Sequence, residues 1–303
     1  MSRGPFNGVL VPVLTPFKSD FEPDAERFVS LCKWALEQGA AGLAIFGTTS
    51  EANSMSFEQR ENLLEKVLES GVPAEKLMPG TGGCAVKDVV RMTSKAVAAG
   101  CGGTLMLPPF YYKTINDDGI FRFVSEVIQA VGDDRLNLYL YHIPPQAVVG
   151  YSVELLSKLY KAYPSVVVGV KDSSGDWDNT YRFIREIPEI DVFPGSEGFL
   201  LQGMRAGARG CITASGNVNV AGIHHLYENW QSDEADALQA RISEIRSVLQ
   251  AYPMIPALKV VTGDYLNDPE WRRVLPPLNP LSEKVSNKLL ADLGQIGFRM
   301  GEH

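Results

Sequence analysis

Cysteine, histidine and long apolar stretches are all scarce in this chain. The four cysteines, Cys32, Cys84, Cys101 and Cys211, are widely scattered. No pair has the spacing of a metal site or a redox motif, so reduced thiols in a cytoplasmic protein are expected. Of the four histidines, His224 and His225 are adjacent and fall on different sides of a presumed helix, with no third ligand in view. A metal site is therefore not expected. No apolar run approaches the ~20 residues of a membrane span. The opening MSRGPFNGVL lacks the apolar core and cleavage site of a secretory leader, so none is expected. The formal net charge is -8 and no basic stripe offsets it, which argues against nucleic acid as a partner. No low-complexity segment is present.

What the chain does have is enough apolar material for a sizeable core: 303 residues, 45% hydrophobic and 21% charged. Short apolar runs recur at residues 8–15, 41–47, 77–80, 103–107, 136–143, 166–171, 191–195 and 210–214. Each is bounded by glycine, proline or small polar residues, as buried parallel strands are. Helical periodicity separates them. Asp24 is placed to cap a helix in which Phe28, Leu31, Cys32, Ala35 and Leu36 share a face, and Gly39 ends it. Val86, Val89, Val90 and Val97 line a second helix, ended by Gly100. Phe121, Phe123, Val124, Val127 and Ile128 belong to a third.

Eight strand–helix alternations predict an α/β fold, a (β/α)8 TIM barrel. The doubly wound open sheet usually carries a glycine fingerprint after its first strand, and here Pro16, Phe17 and Lys18 stand in that place. After Gly216 the spacing breaks down, and Ala235–Leu249 and Leu281–Leu293 read as helices. The expected organisation is a barrel over residues 1–231 with a C-terminal helical extension over 232–303.

Barrel active sites lie at the C-terminal ends of the strands. One strand end stands out, because VVVGVKDSSGD runs from β-branched residues straight into Lys171. Burial disfavours charge on an amine, and a neutral lysine is a nucleophile toward a carbonyl carbon. The plain alternative is a lysine paired with a carboxylate such as Asp172. Tyr141 ends the preceding strand, within reach for proton transfer, or is a packed core tyrosine. Gly47-Thr48-Thr49-Ser50-Glu51 is expected where the second strand turns into a helix, with N–H groups and hydroxyls suited to a carboxylate. An ordinary capped turn would look the same, and Glu51 would fix the loop. His142 is a base, a substrate contact or a packed histidine. Asp117 and Asp118 read as helix-start acids.

Together these segments resemble the dihydrodipicolinate synthase / N-acetylneuraminate lyase superfamily of class I, Schiff-base aldolases. GTTSE is similar to that family's GTTGE. PPFYYK (Pro108–Lys113) resembles its tyrosine loop, YHIPP (Tyr141–Pro145) its Y-N-x-P segment, and GVKDSSGD its lysine segment. GSEG (Gly195–Gly198) and GCITASGNV (Gly210–Val218) resemble its seventh and eighth strand ends, and LPPLNPLS (Leu275–Ser282) a later segment.

The resemblance implies roles. Lys171 would form the imine with pyruvate or another 2-oxo acid, and Tyr141 would relay protons. Thr48 and Thr49 would hold the pyruvyl carboxylate. Tyr112 would extend the relay, donated by a neighbouring subunit of a homotetramer (or dimer). Gly195 and Ile212 would line the pyruvate pocket. No metal or organic cofactor is implied.

Three departures weaken the synthase assignment. Synthases of this family carry an arginine where Gln146 stands, and a neutral amide cannot replace a bidentate guanidinium–carboxylate pair. His142 and Ser50 replace the usual asparagine and glycine. The expectation is an aldolase or lyase joining or splitting pyruvate and a small aldehyde, through a 4-hydroxy-2-oxo or 2-keto-3-deoxy acid. His142 and Gln146 would then face the second substrate. The alternatives are 4-hydroxy-tetrahydrodipicolinate (dihydrodipicolinate) synthase activity in lysine biosynthesis, a 2-keto-3-deoxy acid dehydratase, and a non-catalytic small-molecule sensor.

Overall fold

The structure is a computed structural model and describes residues 4–301. In chain order the strands are β1 (Gly8–Val11), β2 (Gly42–Leu43), β3 (Thr104–Met106), β4 (Leu138–His142), β5 (Val167–Asp172), β6 (Asp191–Pro194) and β7 (Gly210–Ile212). The helices are α1 (Ala25–Glu37), α2 (Phe57–Glu69), α3 (Val86–Ala98), α4 (Asp117–Val131), α5 (Pro144–Ala147) and α6 (Val153–Ala162), followed by α7 (Trp177–Glu186) and α8 (Leu200–Ala206). Then come α9 (Gly216–Glu228), α10 (Ala235–Gln250), α11 (Met254–Tyr265) and α12 (Glu283–Gln295). The chain forms two compact units. Among the described residues, one holds Pro73–Ile212 with residues 4–7, and the other holds Gly8–Val72 with residues 213–301. The expected boundary at residue 231 falls inside the second unit.

In the first unit, β3, β4, β5 and β6 pair in that order, all parallel. Strand side chains alternate between two faces. Leu138, Leu140, Val167, Val170 and Val192 pack one face against Val124 and Val127 of α4, Leu155 and Leu159 of α6, and Phe183 of α7. Burying each such large apolar side chain contributes about 1.5–3 kcal/mol. Tyr139 and Tyr141 are left for the other face, where the Tyr139 ring meets Phe193 edge-on. Gly169 makes room for it, since a Cβ there would lie 2.5 Å from the Tyr139 ring.

The strand expected at residues 77–80 is reduced to one parallel bridge, Gly80 to Leu105. Pro79 has no N–H to give a ladder. Its carbonyl still accepts from the Leu105 N–H at 2.9 Å.

In the second unit β1 and β2 run parallel, Leu10 opposite Gly42 and Val11 opposite Leu43. Asp24 caps α1 as expected, its carboxylate accepting from the Arg27 N–H at 3.2 Å. Phe28, Leu31, Cys32 and Ala35 form the buried stripe. Ser282 caps α12. Helix α11 was not foreseen as an element. Its residues Pro256–Gly263 are all buried, so it carries no polar face to mark a helical period. No helix among the described residues is long and apolar enough to cross a membrane.

Candidate active site

The first unit brings Lys171 and Tyr141 together. The β4–β5 ladder shifts between Leu138 and Tyr139, and from there pairs Tyr139 with Gly169, Tyr141 with Lys171 and His142 with Asp172. Directly paired residues point the same way, so lysine and phenol share a face. Lys171 Nζ lies 4.2 Å from the centroid of the Tyr141 ring. Both residues are only 3% exposed. Among the described residues, Lys171 has no ion pair and no hydrogen-bond acceptor for its amine.

Asp172 is not that counter-charge. Its carboxylate, also buried, turns to the loop that follows. It accepts from the Ser174 N–H at 2.9 Å, Asn179 Nδ2 at 3.1 Å and Thr180 Oγ1 at 2.6 Å. A carboxylate with three donors is satisfied without the lysine.

His142 goes with Asp172, one position on from Tyr141 and on the opposite face. Its Nδ1 accepts the Tyr151 N–H at 2.9 Å, and its ring meets Phe183 edge-on at 5.7 Å. Burial holds this imidazole below its ordinary range, opposed by the nearby Asp172 charge. A neutral ring whose Nδ1 accepts carries its proton on Nε2. This is the packed-histidine arrangement, and the ring is not on the Lys171 face.

Gly195, past the end of β6, donates its N–H to the Asp172 carbonyl at 2.6 Å. A Cβ at Gly195 would fall 2.0 Å from Ser173 Oγ and 2.9 Å from Ser173 Cα, so the two loops meet there. Ile212 is fully buried at the end of β7. Gln146 is exposed on α5, its backbone N–H bonded to the Ile143 carbonyl at 3.1 Å. Tyr112 is 71% exposed and packs edge-on against Tyr111 at 5.2 Å. Lys113 ties this loop to α5, donating to the Ala147 carbonyl at 3.0 Å.

Thr48 and Thr49 belong to the second unit. The expected helix start is not there. A 3-10 turn, Ala52–Ser54, intervenes, and α2 begins only at Phe57 behind its own Ser56 cap. Gly47–Ala52 is instead a turn, and the left-handed backbone at Glu51 interrupts any helix that would start there. The Glu51 N–H donates to the Thr48 carbonyl at 3.0 Å, and the Ala52 N–H to the Gly47 carbonyl at 3.2 Å. Ser50 Oγ donates to the Val13 carbonyl at 2.5 Å. Glu51 sits in the left-handed region, φ 57°. That is uncommon for a residue with a side chain.

Glu51 is held by a residue that sequence reasoning missed. Its carboxylate accepts from Lys259 Nζ on α11 and from the Leu275 N–H at 2.7 Å. The Lys259 and Glu51 side chains are fully buried. Lys259 also donates to the Arg273 carbonyl at 2.7 Å and lies over the Phe17 ring at 4.6 Å. Burial pulls the Lys259 amine down to about 8, with the Glu51 charge opposing that pull. The signal was present in PMIPALKVV, a lone lysine in an apolar run, the same pattern that singles out Lys171.

The solved structure of dihydrodipicolinate synthase from Agrobacterium tumefaciens overlays this chain with a TM-score of 0.89 at 28% identity, over 95% of this chain and 99% of that one. The fold is the (β/α)8 barrel with C-terminal helices. The family model described as Dihydrodipicolinate synthetase family matches residues 5–296, and the chain belongs to that family. An uncharacterised DapA-like lyase of Chloroflexus aurantiacus is 30% identical over 281 residues, 92% of this chain and 93% of the relative. A 4-hydroxy-tetrahydrodipicolinate synthase of Thermus thermophilus is 30% identical over 290 residues, 94% of each.

Proposed function

We propose that this protein is a class I, imine-forming lyase that uses pyruvate, with Lys171 as the nucleophile. The observation that carries the reading is a buried lysine amine, set over the Tyr141 ring, with no ion-pair partner among the described residues. Family membership supports the same chemistry.

In this reading the Lys171 amine attacks C2 of pyruvate. The carbinolamine loses water and leaves a protonated imine. That cation withdraws electrons, so C3 loses a proton and an enamine forms. The enamine attacks the carbonyl carbon of an aldehyde, making the new carbon–carbon bond. Run backwards, the sequence cleaves a 4-hydroxy-2-oxo or 2-keto-3-deoxy acid to pyruvate and an aldehyde. Hydrolysis of the imine frees the lysine. Tyr141 passes protons at the carbinolamine and at the leaving hydroxyl. Tyr112, supplied by a neighbouring copy in a homotetramer, extends that relay. Thr48 and Thr49 hold the pyruvyl carboxylate, and Gly195 and Ile212 line the pyruvate pocket. The protein's own groups suffice for this route, and it acts in the cytoplasm.

For the second substrate we favour the aldehyde half of a 4-hydroxy-2-oxo or 2-keto-3-deoxy acid over aspartate semialdehyde. Gln146 stands on α5 as a neutral amide and offers no bidentate cation. The competing reading, 4-hydroxy-tetrahydrodipicolinate synthase, is favoured by the name of the Thermus thermophilus relative.

The test is to incubate the protein with pyruvate and borohydride and map the adduct. A reduced pyruvyl group on Lys171, absent from Lys171→Ala, is the expected result. A protein that binds pyruvate with no adduct is a sensor instead. Pyruvate release from a panel of oxo acids, read by lactate dehydrogenase, then ranks substrates. Turnover of aspartate semialdehyde rivalling the best of them overturns the preference drawn from Gln146.

A further inference from the structure

The fully buried Lys259–Glu51 pair lies outside the chemistry described above. Both side chains are fully buried, with the Phe17 ring and the Arg273 charge nearby. A buried ion pair seldom adds stability over an apolar pair of the same size, because both charges lose their water. What it adds is direction. A carboxylate fixed by two donors holds its own backbone in one place, which an apolar contact does not do.

The geometry converts that direction into the position of the two threonines. Glu51 Oε1 and Oε2 each have a separate anchor, Lys259 Nζ and the Leu275 N–H. Lys259 is itself fixed by the Arg273 carbonyl. At the other end, the Glu51 N–H is bonded to the Thr48 carbonyl. Glu51 is also in the left-handed region, from which an unrestrained glutamate would relax. Release of the carboxylate therefore lets the Thr48–Glu51 turn open.

We propose that Lys259 is a positioning residue for substrate-carboxylate binding, acting through Glu51 to hold Thr48 and Thr49 in the binding conformation. The C-terminal helices are then part of the binding apparatus. This rests on the reading of Thr48 and Thr49 given above.

The test uses the full chain and pyruvate as the probe. Imine formation is measured by borohydride trapping as a function of pyruvate concentration, and turnover with the best oxo acid gives kcat and KM. Lys259→Met alone leaves a buried unpaired carboxylate and is prone to misfold, so the principal variant is Lys259→Met with Glu51→Leu, checked by circular dichroism and thermal melting. Its pyruvate half-saturation is expected to rise about tenfold or more while the rate at saturation stays within about threefold of wild type. Lys259→Arg, which keeps a cation and donors, is expected to recover most of the affinity. A folded double variant with half-saturation within about twofold of wild type overturns the proposal. Where the double variant does not fold, Glu51→Gln decides on the same criterion, because it keeps the Leu275 contact and loses the charge. Absence of any adduct on wild-type Lys171 is a different outcome. It overturns the imine reading, and this proposal with it.

Discussion

Asp172→Ala removes the acceptor of three donors in the turn that follows the candidate lysine. The three do not weigh equally. Thr180 is 1% exposed, yet its hydroxyl has a second acceptor, the Asp176 carbonyl at 3.3 Å. Ser174 and Asn179 are half-buried and can turn to water. Hydrogen bonds to a charged acceptor are worth roughly 1.5–3 kcal/mol each where no replacement exists. With one fallback and two hydrated donors, the loss comes to about 2–4 kcal/mol, a large share of the ~5–15 kcal/mol that holds a typical domain folded. Asp172→Asn keeps one oxygen for the Ser174 N–H but sets an NH2 against Asn179. It is expected to cost about half as much. Urea unfolding at constant protein concentration, with the slope compared between variants, measures both. The reasoning fails if Asp172→Ala unfolds within about 0.5 kcal/mol of wild type at unchanged slope. It also fails if Asn is as damaging as Ala, since the charge alone would then matter.

Gly195→Ala drives a methyl into Ser173, whose Cα would be 2.9 Å away. Overpacking of this kind costs typically about 1–3 kcal/mol, and pyruvate trapping should slow because Ser173 is two residues from Lys171. Ser173→Gly in the same chain should recover part of both losses, and no recovery refutes the contact. Tyr141→Phe is expected to lose far more rate than pyruvate affinity, and equal losses in steady-state kinetics contradict a relay role. The His142 imidazole is held below its unfolded value by burial, so the fold favours the neutral ring. Its contribution is present above the unfolded value of about 6.5 and is lost as pH falls through and below it. Urea midpoints at neutral and mildly acid pH should therefore drop more for wild type than for His142→Asn, and equal drops count against it.

The sequence announced the elements that present contrasting faces. Asp24 and Gly39 mark helix ends by local chemistry that tertiary packing does not alter. Tyr141 and Lys171 could be placed at strand ends from the apolar runs before them, although the shift between Leu138 and Tyr139 that fixes their register leaves no trace in the residue order. Where burial is complete the pattern goes silent. Helix α11 has no polar side to time its turns, and Lys259 hides within it. Pro79 shortens a strand that its apolar neighbours advertise. The Gly47–Ala52 segment has helix-cap residues, but Glu51 takes a left-handed conformation that the residue order does not announce. His142 stayed open between a base, a substrate contact and a packed ring because a sequence does not say which face of a strand a side chain takes.

The Lys259–Glu51 contact spans 208 residues. A ribosome adding ~5–20 residues per second reaches the lysine roughly 10–40 s after the glutamate. Until then the nascent chain carries a carboxylate whose buried partner, Lys259, has not been made. The threonine turn therefore acquires its lasting shape only near the end of synthesis, and a ribosome that stalls before α11 leaves a nearly whole barrel without it.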